Sequence, residues 1–235
     1  MYVFTSKVRY SEVDAHGRLN EAGIINYFQD CSDFQSESLG VGVEYLMSIK
    51  HAWVLSSWHV IYEKGIKAGD EITIATWPTS FRGLIGTRNF AIYDATGEIC
   101  AKAATIWAYV DITTGKPAKI TEEVASRYTL ESPLEMPKVE RKIKLPEQME
   151  AMTAFAVCKS HLDTNNHVNN GKYITMALEY LPEAFETYEL RAEYKKSAVY
   201  GDMIYPQVKL DGDTFYVALC DEEGNIYAGV AFRKM

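Results

Sequence analysis

Between His161 and Ile174 the chain reads HLDTNNHVNNGKYI, with four asparagines, an aspartate and two histidines in the first ten residues. Those residue types can do chemistry without a metal. A histidine titrates near neutrality and can take a proton from water. An asparagine amide can hold a water or a carbonyl oxygen. An aspartate can orient either partner. The same composition also describes a polar turn that caps a helix, because Asn and Asp side chains satisfy orphan N–H groups at helix starts. Asp163, Asn165 and His167 are the candidate catalytic residues. Val168 and Asn169, at the expected helix start, are candidate backbone donors to a developing oxyanion, aided by the helix dipole.

The elements that must position these groups emerge from a faint internal repeat. VRYSEVDAHGRLNEAGIINYF, from Val8, aligns without gaps with VCKSHLDTNNHVNNGKYITMA, from Val157, at an offset of 149. Val8/Val157, Ser11/Ser160, Asp14/Asp163 and Asn20/Asn169 are identical pairs. Downstream, Tyr62-Glu63-Lys64 with Gly69-Asp70 is echoed by Tyr194-Lys195-Lys196 with Gly201-Asp202, and Asp94 to Ile99 by Asp221 to Ile226. Each copy reads as a polar turn, a helix and several strands.

In the first copy Asn20 is the expected N-cap, Ile24, Ile25, Phe28 and Cys31 recur at helical spacing, and Gly40 and Gly42 mark the end. In the second, Tyr173, Ile174, Ala177, Leu178 and Leu181 form the stripe, with Pro182 near its close. Glu71 to Trp77 alternates as a strand, TGEI and EEGNI read as hairpin turns, and Phe215–Cys220 and Ile226–Phe232 are strands of the second copy. Long antiparallel strands with one enclosed helix per repeat make an α+β fold. The expected division is 1–116, a linker over 117–150 and 151–235. The linker holds four of the seven prolines and the charged run KVERKIK, which reads as a surface crossover with a short helix over Thr121 to Tyr128.

Composition sets outer bounds. With 47% hydrophobic and 24% charged residues over 235 positions, the chain has the profile of a globular protein that can bury its own core. The net charge of −8 excludes nucleic acid as the main partner, because phosphate binding needs a basic footprint. No apolar run approaches the roughly 18 residues of a membrane span, and MYVFTSKVRY has no signal-peptide pattern. Cys31, Cys100, Cys158 and Cys220 are scattered with no CxxC pair, as expected of buried thiols in a reducing cytoplasm. No metal or cofactor is expected.

The motif D-x-N-x-H-V-N-N-x-x-Y-I, here Asp163 to Ile174, with Glu193-Tyr194-Lys195-Lys196 after it, resembles the C-terminal half of the acyl-acyl carrier protein thioesterases. That family is a tandem of two hotdog domains joined by a linker, so the resemblance implies a double hotdog in which each antiparallel sheet wraps a long helix. It also implies a hydrolase that frees a fatty acid from acyl carrier protein, with Asp163, Asn165 and His167 as the working residues. The family's acidic residue and cysteine after the E-Y-R-R run are replaced here by Ser197 and Ala198. The first copy, Val8 to Asp14 with Gly17, resembles single-hotdog acyl-CoA thioesterases, in which the aspartate at the position of Asp14 can be catalytic. Arg18 stands where His167 does in the second copy, so Asp14 reads as a turn cap. An acyl-CoA thioesterase and a silent acyl-binding module are the competing readings. Cys158 reads as a buried inert thiol. Trp53, Trp58, Tyr62 and Trp77 read as core, and His51 and His59 as structural. Acyl carrier proteins are acidic, which makes Lys195, Lys196, Arg141, Lys142 and Lys144 the candidate docking residues on a monomer or homodimer.

Overall fold

Asn20 caps the first helix as its sequence requires. Its side-chain oxygen accepts the Gly23 N–H at 2.8 Å, and α1 runs over Glu21–Ser38. The helix ends at Leu39 and Gly40, the glycine at φ 70, a left-handed conformation that costs other residues 1–2 kcal/mol or so. Ile25, Phe28 and Cys31 on its inner face are fully buried. Phe28 lies against Phe90 with ring centroids 5.2 Å apart. Truncating such a side chain to alanine costs about 3–5 kcal/mol.

The computed structural model describes every residue except Arg141, so that candidate docking residue lies outside the described residues. The chain divides into two compact units. The first comprises Met1–Ser56 and Val60–Pro137, the second Ser57–His59 and Lys138–Met235.

In the first unit, β1 (Tyr2–Lys7) precedes α1 and α2 (Val43–Ser48) follows it; then come β2 (His51–Tyr62, of which Ser57–His59 count with the second unit), β3 (Glu71–Arg82), β4 (Ile85–Asp94) and β5 (Ile99–Asp111). The strand order is β1-β3-β4-β5-β2, and α1 lies on β3. β6 (Lys116–Pro117) pairs with β5. Thr121 caps α3 (Glu122–Ala125) by accepting the Val124 N–H at 3.3 Å. That helix ends three residues short of Tyr128, the limit expected from sequence. Residues 118–137 belong to this unit: Val124 and Tyr128 are buried, and Trp77 Nε1 donates to the Ser132 carbonyl at 3.0 Å.

The second unit contains β7 (Glu150–Ala151), β8 (Phe155–Ala156), α4 (Asn170–Leu178), β9 (Glu189–Tyr194), β10 (Met203–Asp211), β11 (Thr214–Cys220) and β12 (Ile226–Arg233). The antiparallel order is β9-β12-β11-β10-β7, and α4 packs on β11 and β12. Tyr173, Ile174 and Ala177 are buried as expected. Leu181, placed on the same stripe from sequence, lies past the helix end. Pro182 disfavours helical backbone at the preceding residue, so α4 has half the length of α1.

The repeat is borne out contact by contact. Lys64 pairs with Asp94 at 2.6 Å and its counterpart Lys196 with Asp221 at 3.1 Å. Asp70 accepts the Lys67 N–H at 2.8 Å, and Asp202 accepts the Val199 N–H at 3.0 Å. Among the described residues no helix is long and apolar enough to cross a membrane.

Candidate active site

The loop before α4 is shaped by its own polar residues. The Asp163 N–H donates to the His167 carbonyl at 2.8 Å, and the Asn166 N–H to the Asp163 carbonyl at 3.1 Å. Asp163 Oδ1 accepts the main-chain N–H groups of Asn165 at 2.8 Å and His167 at 3.2 Å. Asn166 takes φ 59, a conformation asparagine tolerates better than most residues. Asn169 caps α4, accepting the Gly171 N–H at 2.8 Å.

The first copy builds the same loop. Asp14 Oδ1 accepts the N–H groups of His16 and Arg18 at 2.8 and 3.0 Å, and Gly17 holds the left-handed position at φ 72. Asp14 is therefore the turn cap expected. The comparison separates scaffold from the rest. Asp163, Asn166 and Asn169 do jobs that Asp14, Gly17 and Asn20 also do. Asn165 and His167 stand where the first copy has His16 and Arg18, so the second loop carries an amide and an imidazole there, and both are exposed on the second unit. Their side chains make no hydrogen bond among the described residues.

One expectation needs correction. Val168 and Asn169 are not available as oxyanion donors: the Val168 N–H donates to the Ala198 carbonyl at 2.9 Å, and the Asn169 N–H to the His161 carbonyl at 2.9 Å. The loop consumes those groups to fasten itself to the strand connection and the preceding turn. Asp163 also does not touch the His167 ring; its carboxylate reaches that residue through the main chain.

The floor under the loop is ordered by buried hydroxyls. Tyr173 Oη accepts the Ala198 N–H at 2.8 Å, and burial pushes the Tyr173 phenol up to about 12. Tyr194 donates to the Asn170 carbonyl at 3.0 Å. Ala198 is fully buried and Ser197 exposed. No carboxylate bonds the His167 ring among the described residues.

The remaining sequence candidates lie as follows. Cys158, expected buried, is exposed, with Cys31, Cys100 and Cys220 buried; it starts a single 3-10 turn over Lys159–His161 instead of pointing into the core. Trp58 and Trp77 are core residues. His51 Nδ1 meets the Ile49 carbonyl at 2.7 Å and its ring stacks on Tyr109. His59 Nε2 lies 2.7 Å from Glu189 Oε1, whose other oxygen accepts from Arg233 at 2.6 Å. Both histidines are structural. Three of the docking lysines have acidic partners: Lys196 with Asp221, Lys195 with Glu193 at 3.9 Å and Lys144 with Glu140 at 2.8 Å. Among the described residues no group of three or more His, Cys, Asp or Glu side chains is placed to hold a metal. Sequence reasoning missed a cavity of about 340 Å³ in the second unit, beside α4 and lined in part by His161 and Met176.

Residues 1–128 match the family model of the acyl-ACP thioesterase N-terminal domain, and residues 144–229 that of the C-terminal domain. The chain belongs to the acyl-ACP thioesterase family. Relatives of this family member include the oleoyl-acyl carrier protein thioesterase 1 of Arabidopsis thaliana chloroplasts, 26% identical over 84% of this chain and 60% of that protein. The chloroplast dodecanoyl-[acyl-carrier-protein] hydrolase of Cinnamomum camphora is 25% identical over 93% and 62% respectively. The chain thus spans about three fifths of the length of these two relatives. Among solved structures, an acyl-ACP thioesterase from Bacteroides thetaiotaomicron superposes with a TM-score of 0.89 over 98% of this chain and 96% of that one, at 22% identity. The 12:0-ACP thioesterase of Umbellularia californica gives 0.88 over 99% and 96%, at 19% identity. The fold of this acyl-ACP thioesterase family member is therefore the α+β tandem of hotdogs expected from sequence.

Proposed function

We propose that the chain hydrolyses the thioester of fatty acyl-acyl carrier protein, with Asn165 and His167 as catalytic residues and Asp163 as a positioning residue. One observation carries the reading. The second loop duplicates the first in its scaffold yet presents an amide and an imidazole that the scaffold does not use. His167 takes a proton from water as the water oxygen attacks the thioester carbon. Asn165 donates its amide N–H to the carbonyl oxygen as that oxygen gains charge, in the role the Val168 and Asn169 N–H groups cannot fill. The tetrahedral adduct then expels the carrier thiolate, which takes the proton back from His167. A thiol of pKa about 8.5 leaves without a strong acid, so the missing family carboxylate at Ser197 is not needed for departure.

Family membership and the plant relatives named as acyl-carrier-protein hydrolases support the substrate class. The residues 1–116 and 151–235 form the two hotdogs of this proposal, with 117–150 between them. Two hotdogs in one chain supply the pair that single-domain relatives assemble by association, which accommodates either a monomer or a homodimer. Four free cysteines suit a cytoplasmic setting. The test is single-turnover release of free acid from acyl carrier protein loaded with short to long chains, with the matching acyl-CoA in parallel. Release from the carrier protein that is lost in His167→Ala supports the proposal. No release from any chain length overturns it, and equal rates on acyl-CoA replace the carrier assignment.

A further inference from the structure

The two copies differ at one further place, and there the second copy leaves a space. In the first unit Tyr27 donates its hydroxyl to Glu12 Oε2 at 2.6 Å and lies 3.4 Å from the Ser6 hydroxyl. The same Glu12 oxygen accepts the Arg9 N–H at 2.8 Å, tying its 3-10 turn. At the offset of 149, Ser6, Glu12 and Tyr27 become Phe155, His161 and Met176. These three line the 340 Å³ cavity together with Lys172, Glu179 and Tyr180. A hydrogen-bonded phenol and carboxylate of the first unit are replaced here by a thioether and an imidazole that border open volume. Its size lies within the range of small-molecule sites.

The exchange also reverses the polarity facing that volume. His161 Nδ1 accepts the Cys158 N–H at 3.0 Å, the job Glu12 does for Arg9. A backbone N–H can only donate, so the ring proton sits on Nε2 and the imidazole has a donor left to offer. Burial, and after it the charge of Lys172, lowers the His161 pKa, which favours this neutral tautomer. Lys172 makes no ion pair among the described residues. Where Glu12 offers an acceptor to Tyr27, the second unit offers an N–H and an ammonium to a guest. Phe155, Met176 and Tyr180 add an apolar wall. Lys172, Met176 and Glu179 stand on one face of the helix, and Glu179 is about 10 Å along the axis from Lys172, so an anionic head belongs at the Lys172 end.

We propose that this cavity binds a small amphipathic monocarboxylate, its head on His161 Nε2 and Lys172 and its chain along Phe155, Met176 and Tyr180. The site is separate from the Asn165 and His167 side chains, and its occupancy does not depend on the hydrolase reading. Octanoate is the probe, with 1-octanol as the neutral isostere. In two-dimensional NMR titration of the full chain, octanoate is expected to give saturable shifts at Ser160, His161 and residues 172–180. Lys172→Ala, an exposed position, is expected to weaken that response about tenfold, the worth of a charged hydrogen bond. The double variant His161→Glu with Met176→Tyr rebuilds the first unit's hydrogen-bonded pair while keeping the turn tied, and is expected to abolish it. Octanol is expected to bind at least tenfold more weakly than octanoate. No saturable shift at these residues overturns the proposal, as does octanoate binding indifferent to both variants. Octanol binding as tightly as octanoate overturns the carboxylate assignment. Shifts confined to residues 163–167 would place the acid at the hydrolytic loop and overturn this site, whereas loss of hydrolysis alone would bear only on the proposed reaction.

Discussion

Asp163 and His167 meet through the main chain: Oδ1 of the aspartate accepts the His167 backbone N–H at 3.2 Å while accepting that of Asn165 at 2.8 Å. This differs from a serine-hydrolase triad, where the carboxylate holds the imidazole itself and replacing it by an amide costs roughly 10⁴-fold. An asparagine side-chain oxygen can accept both N–H groups. Asp163→Asn is therefore expected to keep single-turnover acid release within about tenfold of wild type, a small loss on the general acid–base scale. Asp163→Ala, which unties the loop, is expected to lose more. A loss near 10⁴-fold in Asp163→Asn would show that the negative charge acts on the imidazole.

Asn165 and His167 make no side-chain hydrogen bond among the described residues, so function and stability should separate there. His167→Ala is expected to reduce release by about 10²–10⁴-fold and Asn165→Ala by about 10²–10³-fold. Both should unfold in urea within roughly 0.5 kcal/mol of wild type, as surface substitutions do. A variant that loses activity and stability together would mark a scaffold residue instead.

Asn166 is the scaffold control. At φ 59 an alanine is strained, so Asn166→Ala is expected to lower unfolding free energy by about 1–2 kcal/mol. Asn166→Gly, which reproduces Gly17 of the first copy, should not. Equal effects of the two in urea melts would reject the backbone explanation.

These residues also show what was legible in the sequence. The identity of Asp14 with Asp163 and of Asn20 with Asn169 reported a shared loop and cap, because both jobs need one short polar side chain at one position. The lysine–aspartate pairs were legible for a similar reason, each resting on a hairpin whose glycine is visible. What spacing does not encode is which N–H groups a folded loop spends. The commitment of Val168 to the Ala198 carbonyl joins residues 30 apart. The cavity beside α4 was equally hidden, because a void arises from what Met176 and His161 fail to fill. The early end of α4 was readable from Pro182 but was outweighed by the apolar spacing of Leu181.

Tyr173 links helix, strand connection and loop in series. Its hydroxyl accepts the Ala198 N–H at 2.8 Å, and the Ala198 carbonyl accepts the Val168 N–H at 2.9 Å. Tyr173→Phe keeps the ring and leaves a buried N–H unmet, a loss of about 1–3 kcal/mol. Urea unfolding measures it. A neutral outcome would mean that the Ala198 N–H finds another acceptor.

Asp221 gives the pH dependence a sign. The Asn225 amide and then Lys196, against an opposing effect of burial, hold its carboxyl down to about 2 from an ordinary 3.8. A carboxyl that is more acidic folded than unfolded adds stability that is fully present above the unfolded value and disappears as pH falls through the folded one. The difference in urea midpoint between wild type and Asp221→Asn should then stay constant from pH 7 to about 5 and shrink between about 4 and 2. Other carboxylates titrate in both proteins and cancel in the difference. The repeat doubles the test, because Lys64 beside Asp94 lowers that carboxyl too, so Asp94→Asn should lose its gap in the same direction on acidification. A gap in either variant that persisted unchanged to pH 2 would show that these pairs order their hairpins without stabilising the fold.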